Sequence, residues 1–441
     1  MPPSINMNNQ FYILLVFIFI ALSLLAHIFT NNLYDTKRLT QVILITVVFV
    51  ISYGKLKPNK KLNTIFYTIL TIGAVSTALS SNILNSFLHL THIFLLFGLI
   101  TLGIYLKEKV NHLFYILFFT NIFLISSSLL NYSFFLLDNS PPNADGILYG
   151  FYNIRFFNQF QIICIPIILY FLSDKKLSRI ATAALTINIL LLLISGARGA
   201  TISLFIMVAL GLYFNLINKE ALIKLITCSL FAGIIFYIYI SYHSDISAHN
   251  YTFRTGSSGR FKMWTDLISK LTLKNILIGY GPGNYFISEM RLSHPHNSIL
   301  QILYNWGGVV TIIVIATLYN LLKNCIVLIR RSSYDSAFNT CILVTISLLS
   351  YSLFSGVIVM PLPQTFLFIF IGLLISYITP TIKQKKRSSK QLILIALSAV
   401  FYFGAVLLSY DCLSQASYGP NFWSNGQLSF SQCKLPSNKG L

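Results

Sequence analysis

Polar residues interrupt this chain at intervals of roughly 20 positions, the length a helix needs to cross a hydrocarbon layer of about 30 Å at 1.5 Å per residue. About thirteen apolar runs follow one another, near 11–29, 39–53, 63–80, 84–106, 111–130, 156–172, 180–197, 199–217, 221–242, 298–322, 338–360, 364–379 and 391–410. Inside lipid an open backbone N–H or C=O has no partner, so runs of this length predict α-helices that pair their own backbone. The pattern predicts an all-α polytopic bundle of 12–13 transmembrane helices. It divides into an N-terminal bundle of about nine helices over 1–242, a long loop over 243–297, further helices over 298–410 and a tail over 411–441. Met1–Gln10 holds no lysine or arginine and no small-residue cleavage site follows the first run, so that run reads as a retained helix.

Composition agrees: 55% of residues are hydrophobic and 10% charged, outside the range of a water-soluble fold. The net charge of +20 is distributed by loop. Lys55, Lys57, Lys60 and Lys61, then Lys107 and Lys109, then Lys175, Lys176 and Arg179, then Lys219 and Lys224, then Lys323, Arg330 and Arg331, and finally Lys383, Lys385, Lys386, Arg387 and Lys390 occupy every second loop. By the positive-inside rule these loops are cytoplasmic, with the N-terminus inside and the tail outside. The outer face then receives 30–38, 131–155, the turn at 198, the loop 243–297, the turn 361–363 and the tail from Asp411. Basicity is thus a topology signal, and nucleic acid is not needed to explain it.

The outer acids, Asp35, Asp138, Asp145, Asp245, Asp266, Glu289 and Asp411, all fall in predicted loops or the tail. Spans without a carboxylate disfavour a proton- or sodium-coupled transporter; a passive or lipid-flipping carrier stays open. Cys164, Cys228, Cys325 and Cys341 lie in or beside apolar runs and read as small hydrophobes. Cys412 and Cys433 share the outer tail, as a disulfide or as two thiols. No metal-ligand, nucleotide or redox motif is present, so neither metal nor cofactor is expected.

Candidate chemistry gathers in the outer segments. Arg260–Leu271 places Phe261, Trp264, Leu267, Ile268 and Leu271 on one helical face, with Ser257 or Ser258 as N-cap. Arg260 then stands in the first turn, where a cation opposes the helix dipole unless an anion offsets it; an interfacial helix whose arginine reaches lipid headgroups fits as well. Gly279-Tyr-Gly-Pro-Gly283 must be a tight loop: either a plain turn or one whose Gly281 and Gly283 amides face a phosphate. Arg291 and His294-Pro-His296-Asn297 follow, with Asn297 as cap of the next span and an imidazole at its mouth. Arg198 lies in the break Ser195-Gly-Ala-Arg198-Gly, and Arg155 at the outer end of the sixth run. An arginine so placed is costly without an anionic partner, and its planar fork suits a diphosphate.

Ser195-Gly-Ala-Arg198-Gly, Gly259-Arg260-Phe-Lys-Met-Trp264, Gly279-Tyr-Gly-Pro-Gly283 and His294-Pro-His-Asn-Ser-Ile-Leu-Gln301 followed by Trp306-Gly-Gly308 resemble the O-antigen ligase family, whose wider superfamily includes O-antigen polymerases and protein O-oligosaccharyltransferases. The resemblance is clearest over about 195–310. It implies a GT-C-like helical glycosyltransferase of the bacterial inner membrane, active on the periplasmic side, that takes an undecaprenyl-diphosphate-linked glycan as donor without metal or nucleotide. By motif, Arg198 and Arg260 would bind the donor diphosphate, with Arg291 and Arg155 added on charge and position. His296 would be the base toward the acceptor hydroxyl, with His294 the less favoured alternative; Asn297, Gly281 and Gly283 would support them. Lipid A core is the leading acceptor, a protein serine or threonine or the growing glycan the alternatives, and a lipid-linked glycan carrier the reading from another class. Family members commonly have twelve spans with both ends inside, so the run 391–410 and the tail depart from that pattern.

Overall fold

The computed structural model describes residues 6–25, 32–52, 56–57, 60–140, 144–148, 150–151, 153–242, 259–285, 294–331, 335–379, 383–384, 388–410, 420–424, 426 and 428. Each apolar run read from the sequence overlaps a helix. In chain order these are α1 (Asn6–Ile20), continued by a π turn over Ala21–Leu25, α2 (Leu33–Ser52), α3 (Lys60–Ala78), α4 (Ile83–Leu106), α5 (Val110–Leu137), the short α6 (Ala144–Ile147), α7 (Ile154–Phe171), α8 (Ser178–Ile194), α9 (Arg198–Tyr213), α10 (Lys219–Tyr242), α11 (Arg260–Ser269), α12 (Leu273–Ile278), α13 (Ser298–Arg331), α14 (Ser336–Tyr351), α15 (Pro361–Ile378) and α16 (Ser389–Tyr410). Among the described residues, β pairing amounts to the two-residue antiparallel ladder of Leu56–Lys57 with Lys383–Gln384 and an isolated bridge of Trp423 with Gly426. Five described stretches are long and apolar enough to cross a membrane: Ile83–Leu137, Ile154–Phe171, Lys219–Tyr242, Ser298–Arg330 and Pro361–Ile378. The first is broken by a 3-10 turn over Lys107–Lys109, which separates α4 from α5. The protein is an all-α polytopic membrane protein, as the hydropathy pattern predicts.

The chain folds as two compact units, each assembled from separated segments. One comprises Met1–Leu33, Tyr105–Gly259 and Cys325–Phe354. Its centre is α7, buried almost throughout and packed against α5, α8, α9 and α14. A ladder of amides holds the interior together. Asn121 and Asn188 exchange hydrogen bonds of 2.8 and 3.2 Å, Gln161 Nε2 donates to the Asn188 carbonyl at 3.0 Å, and Asn158 Nδ2 donates to Gln161 Oε1 at 2.8 Å and to Ser195 Oγ at 3.2 Å. Those of these bonds that join different helices are typical glue in apolar bundles, worth about 0.6 kcal/mol each on average.

The other unit comprises Tyr34–Ile104, Arg260–Asn324 and Ser355–Leu441. α4 and α15 cross there at Gly103 and Gly372, where a Cβ on either glycine would run into the opposite backbone. Sequence expectations are corrected at three places. Residues 33–38 belong to α2 rather than to an outer loop, and Asp35, Lys37 and Arg38 are buried at 3%, 4% and 1% exposure. The apolar scan starts the helix at Leu39 because three charged side chains precede it. The helix begins earlier because tertiary partners accept those groups, which no local pattern records. Asp35 is therefore a buried carboxylate on a helix, and the expectation that all the outer acids sit in loops or the tail fails at this residue. The run 338–360 also leaves the helix after Tyr351, and α15 starts at Pro361, where a missing N–H costs nothing.

Candidate functional site

In the second unit the site is built around Asn297. Its side chain accepts from the amides of Ile299 at 3.0 Å and Leu300 at 3.1 Å, so it caps α13 as the sequence predicts. Immediately before it, His296 takes a positive φ of 53°, a left-handed conformation uncommon for residues other than glycine. That turn folds its imidazole back onto His294. The ring centroids are 4.1 Å apart and His294 Nε2 lies 3.0 Å from His296 Nδ1. His294 is 2% exposed, and its Nδ1 lies 2.6 Å from the carbonyl oxygen of Pro420.

These contacts assign the protons. A carbonyl only accepts, so His294 Nδ1 must carry hydrogen. In the neutral pair His294 Nε2 then has only a lone pair, His296 Nδ1–H donates to it, and His296 Nε2 is the nitrogen left basic. The two histidines thus divide their roles: His294 is buried between two hydrogen bonds, and His296 carries the lone pair.

α11 begins at Arg260, as predicted, and reaches the histidine turn one helical turn later, where Trp264 Nε1 donates to the Pro295 carbonyl at 2.8 Å. The predicted apolar face is revised. Leu267 is buried together with Met263, packing with Tyr285, Trp264, Leu271, Leu300 and Tyr304, whereas Phe261 and Ile268 are exposed at 69% and 54%. The helix also ends at Ser269, and a separate α12, capped by Thr272, precedes the glycine loop. Burial among these rings, with Tyr304 and Asp266 nearby, pushes the Tyr285 phenol above its usual range. Ser257 and Ser258, the expected caps of α11, lie outside the described residues, as do Arg291, Cys412 and Cys433.

The glycine loop is buried and docked on protein. The amide of Tyr280 donates to the Tyr304 carbonyl at 2.8 Å and that of Gly281 to the Asn305 carbonyl at 3.1 Å, while Tyr280 stacks on Tyr304 at 4.4 Å. Those two carbonyls are open because α13 kinks at Gly307, whose φ of 80° breaks the helical ladder one turn on. Gly283 sits flat against His89, and a side chain there would occupy the imidazole's place. The plain-turn alternative therefore accounts for the Tyr280 and Gly281 amides.

In the first unit, Arg198 is the first residue of α9 and is exposed, held where the Ser195-Gly-Ala break ends α8; Ser195 is fastened by Asn158 at the end of the amide ladder. Arg155 is exposed in the first turn of α7, whose cap Asn153 accepts from the amides of Arg155 at 3.0 Å and Phe156 at 3.3 Å. Arg155, Arg198 and Arg260 each stand in a helical first turn. The dipole there disfavours a lone cation and favours a bound anion.

Sequence reasoning missed Arg38. Arg38 donates to Phe422 O at 2.7 Å, Gln364 Oε1 at 3.2 Å, Asn421 O at 3.2 Å, Gln41 Oε1 and Val359 O, and its guanidinium lies 4.7 Å from the Phe422 ring centroid. Two histidines of α4, His89 and His92, face the same Phe422 ring. The available signal was Asp35-Thr-Lys-Arg38 abutting an apolar run, together with polar Gln41 and Gln364 at the mouths of runs.

A multi-pass helical membrane protein with arginines at helix starts and a hydrogen-bonded histidine pair at a helix mouth is the class these observations define. Residues 183–315, a stretch that contains Arg198, Arg260 and His296, match the family model described as O-antigen ligase. No curated protein matches the chain.

Proposed function

We propose that this protein is a glycosyltransferase that moves a glycan from an undecaprenyl-diphosphate donor to an acceptor hydroxyl of the lipid A core, on the periplasmic face of the bacterial inner membrane. The carrying observation is the Pro420–His294–His296 relay, which presents His296 Nε2 as a base. In the reaction the acceptor hydroxyl oxygen attacks the anomeric carbon. Its proton passes to His296 Nε2, the bond from that carbon to the diphosphate oxygen breaks, and undecaprenyl diphosphate leaves with the bonding pair. Attack opposite the leaving group inverts the anomeric carbon. Arg198 and Arg260 hold the diphosphate and stabilise the charge it gains, with Arg155 and Arg291 as further cations, and no metal is required. His294 holds the tautomer of His296.

The test is transfer by purified protein in lipid vesicles, with lipid-linked glycan as donor and lipid A core as acceptor. His296→Ala should lower the rate about 10²–10⁴-fold, the usual weight of a general base, while the protein still inserts and elutes as the parent does. Full transfer by His296→Ala would remove His296 as base. Replacing the acceptor by a serine-bearing protein or by glycan alone decides among the acceptors, and transfer to one of these in place of lipid A core would reassign the enzyme as an oligosaccharyltransferase or a polymerase.

A further inference from the structure

The tail lies beyond the matched family segment, yet its residues Pro420–Ser424 are fastened to the helical body by hydrogen bonds. Asn421, Phe422, Trp423 and Ser424 are all buried, the tryptophan completely. Three successive carbonyls each face a donor of the body: Pro420 O accepts from His294, Asn421 O from Tyr34 and Arg38, and Phe422 O from Arg38. At the far end Asp35 receives the Ser424 amide at 2.7 Å and the Ser424 hydroxyl at 2.8 Å. Two opposite charges one helical turn apart on α2 thus grip one short strap from both sides. Burying an arginine and an aspartate is expensive unless each is saturated with partners. Much of that saturation comes from the tail.

We infer that Pro420–Ser424 is a working part of the site: it supplies the carbonyl that orients His294, and through His294 the base His296, and Asp35 and Arg38 are the positioning residues that hold that carbonyl in register. The inference rests on the proposed role of His296. A carbonyl at this place sets the proton on His294 Nδ1 and so directs the His296 lone pair to Nε2. Without it His294 is free to take the other tautomer or rotate, and His296 loses its acceptor.

The experiment is a double-mutant cycle on transfer kinetics in vesicles. One arm ends the chain after Gly419; a milder arm, Asp35→Asn with Ser424→Ala, loosens the anchor at full length. Each is combined with His294→Phe, which keeps a ring but removes both nitrogens. Both arms should lower kcat, about tenfold to a hundredfold for the truncation, as expected when a catalytic group shifts by an ångström, with the donor KM unchanged. Neither arm should lower kcat further in the His294→Phe background, because the tail then has nothing to orient. His294→Gln, whose amide can donate and accept at once, should keep more activity than His294→Phe. Full kcat in the milder arm, an additive loss in the His294→Phe background, or a gain in rate on truncation, as for an inhibitory cover, would each overturn the inference. If the truncated chain does not insert, the full-length arm decides alone. Tail variants at full kcat with His296→Ala inactive sink this inference and leave the proposed base intact; full transfer by His296→Ala sinks the parent reading.

Discussion

At the scale of single residues, chemistry here depends on which atoms a side chain has already committed. His294 and His296 are two positions apart and carry the same imidazole, yet one is buried between a carbonyl and its neighbour and the other completes a relay. His294→Phe should therefore reduce transfer less than His296→Ala, a comparison that steady-state rates on the two variants will make. Gly283 is a second residue-scale case. A methyl group there enters the ring of His89, which lies beneath the glycine loop, so Gly283→Ala should destabilise by about 1–3 kcal/mol, the usual range of overpacking in a filled core. Thermal unfolding in detergent would register that loss as a lowered midpoint. Arginine tells the same story in reverse. Arg198 and Arg260 were legible because each interrupts a motif, whereas Arg38, hidden at the edge of an apolar run, was not.

At the scale of elements, helices were legible wherever the apolar run was long, and boundaries were not. α2 begins six residues before its apolar run and α14 ends nine residues before the end of its own. The first has a visible cause: tertiary partners accept the polar groups of Asp35 and Arg38, so the helix can include them. The kink in α13 is a second case. Gly307 opens two carbonyls, and the glycine loop fills them. Gly307→Ala should cost about 1–3 kcal/mol through its left-handed backbone, and should loosen the loop docked there, read as faster hydrogen exchange at the Tyr280 and Gly281 amides. The cap is an independent element-scale test. Asn297→Ala removes two bonds to the first turn of α13 and should cost about 1 kcal/mol, seen as a lower unfolding midpoint with the helical content of the remainder unchanged.

At the scale of the whole molecule, the alternation of basic loops carries an orientation that can be checked without any activity. If the N-terminus is cytoplasmic, a cysteine placed at the exposed Asn139 should react with a membrane-impermeant thiol reagent in intact spheroplasts, and one at the exposed Lys175 only after permeabilisation. The reverse labelling would turn the orientation over. Composition and periodicity by themselves determined that the chain is an all-helical membrane protein and roughly where its helices lie, because these depend on spacing along the chain and on the cost of charge in lipid. The tertiary structure alone decided that Asp35 and Arg38 are interior groups, that the glycine loop spends amides on α13, and that a short piece of the tail fastens the histidine relay. Each of these joins residues far apart in the chain through hydrogen bonds, and such pairings leave no period in the sequence from which to read them.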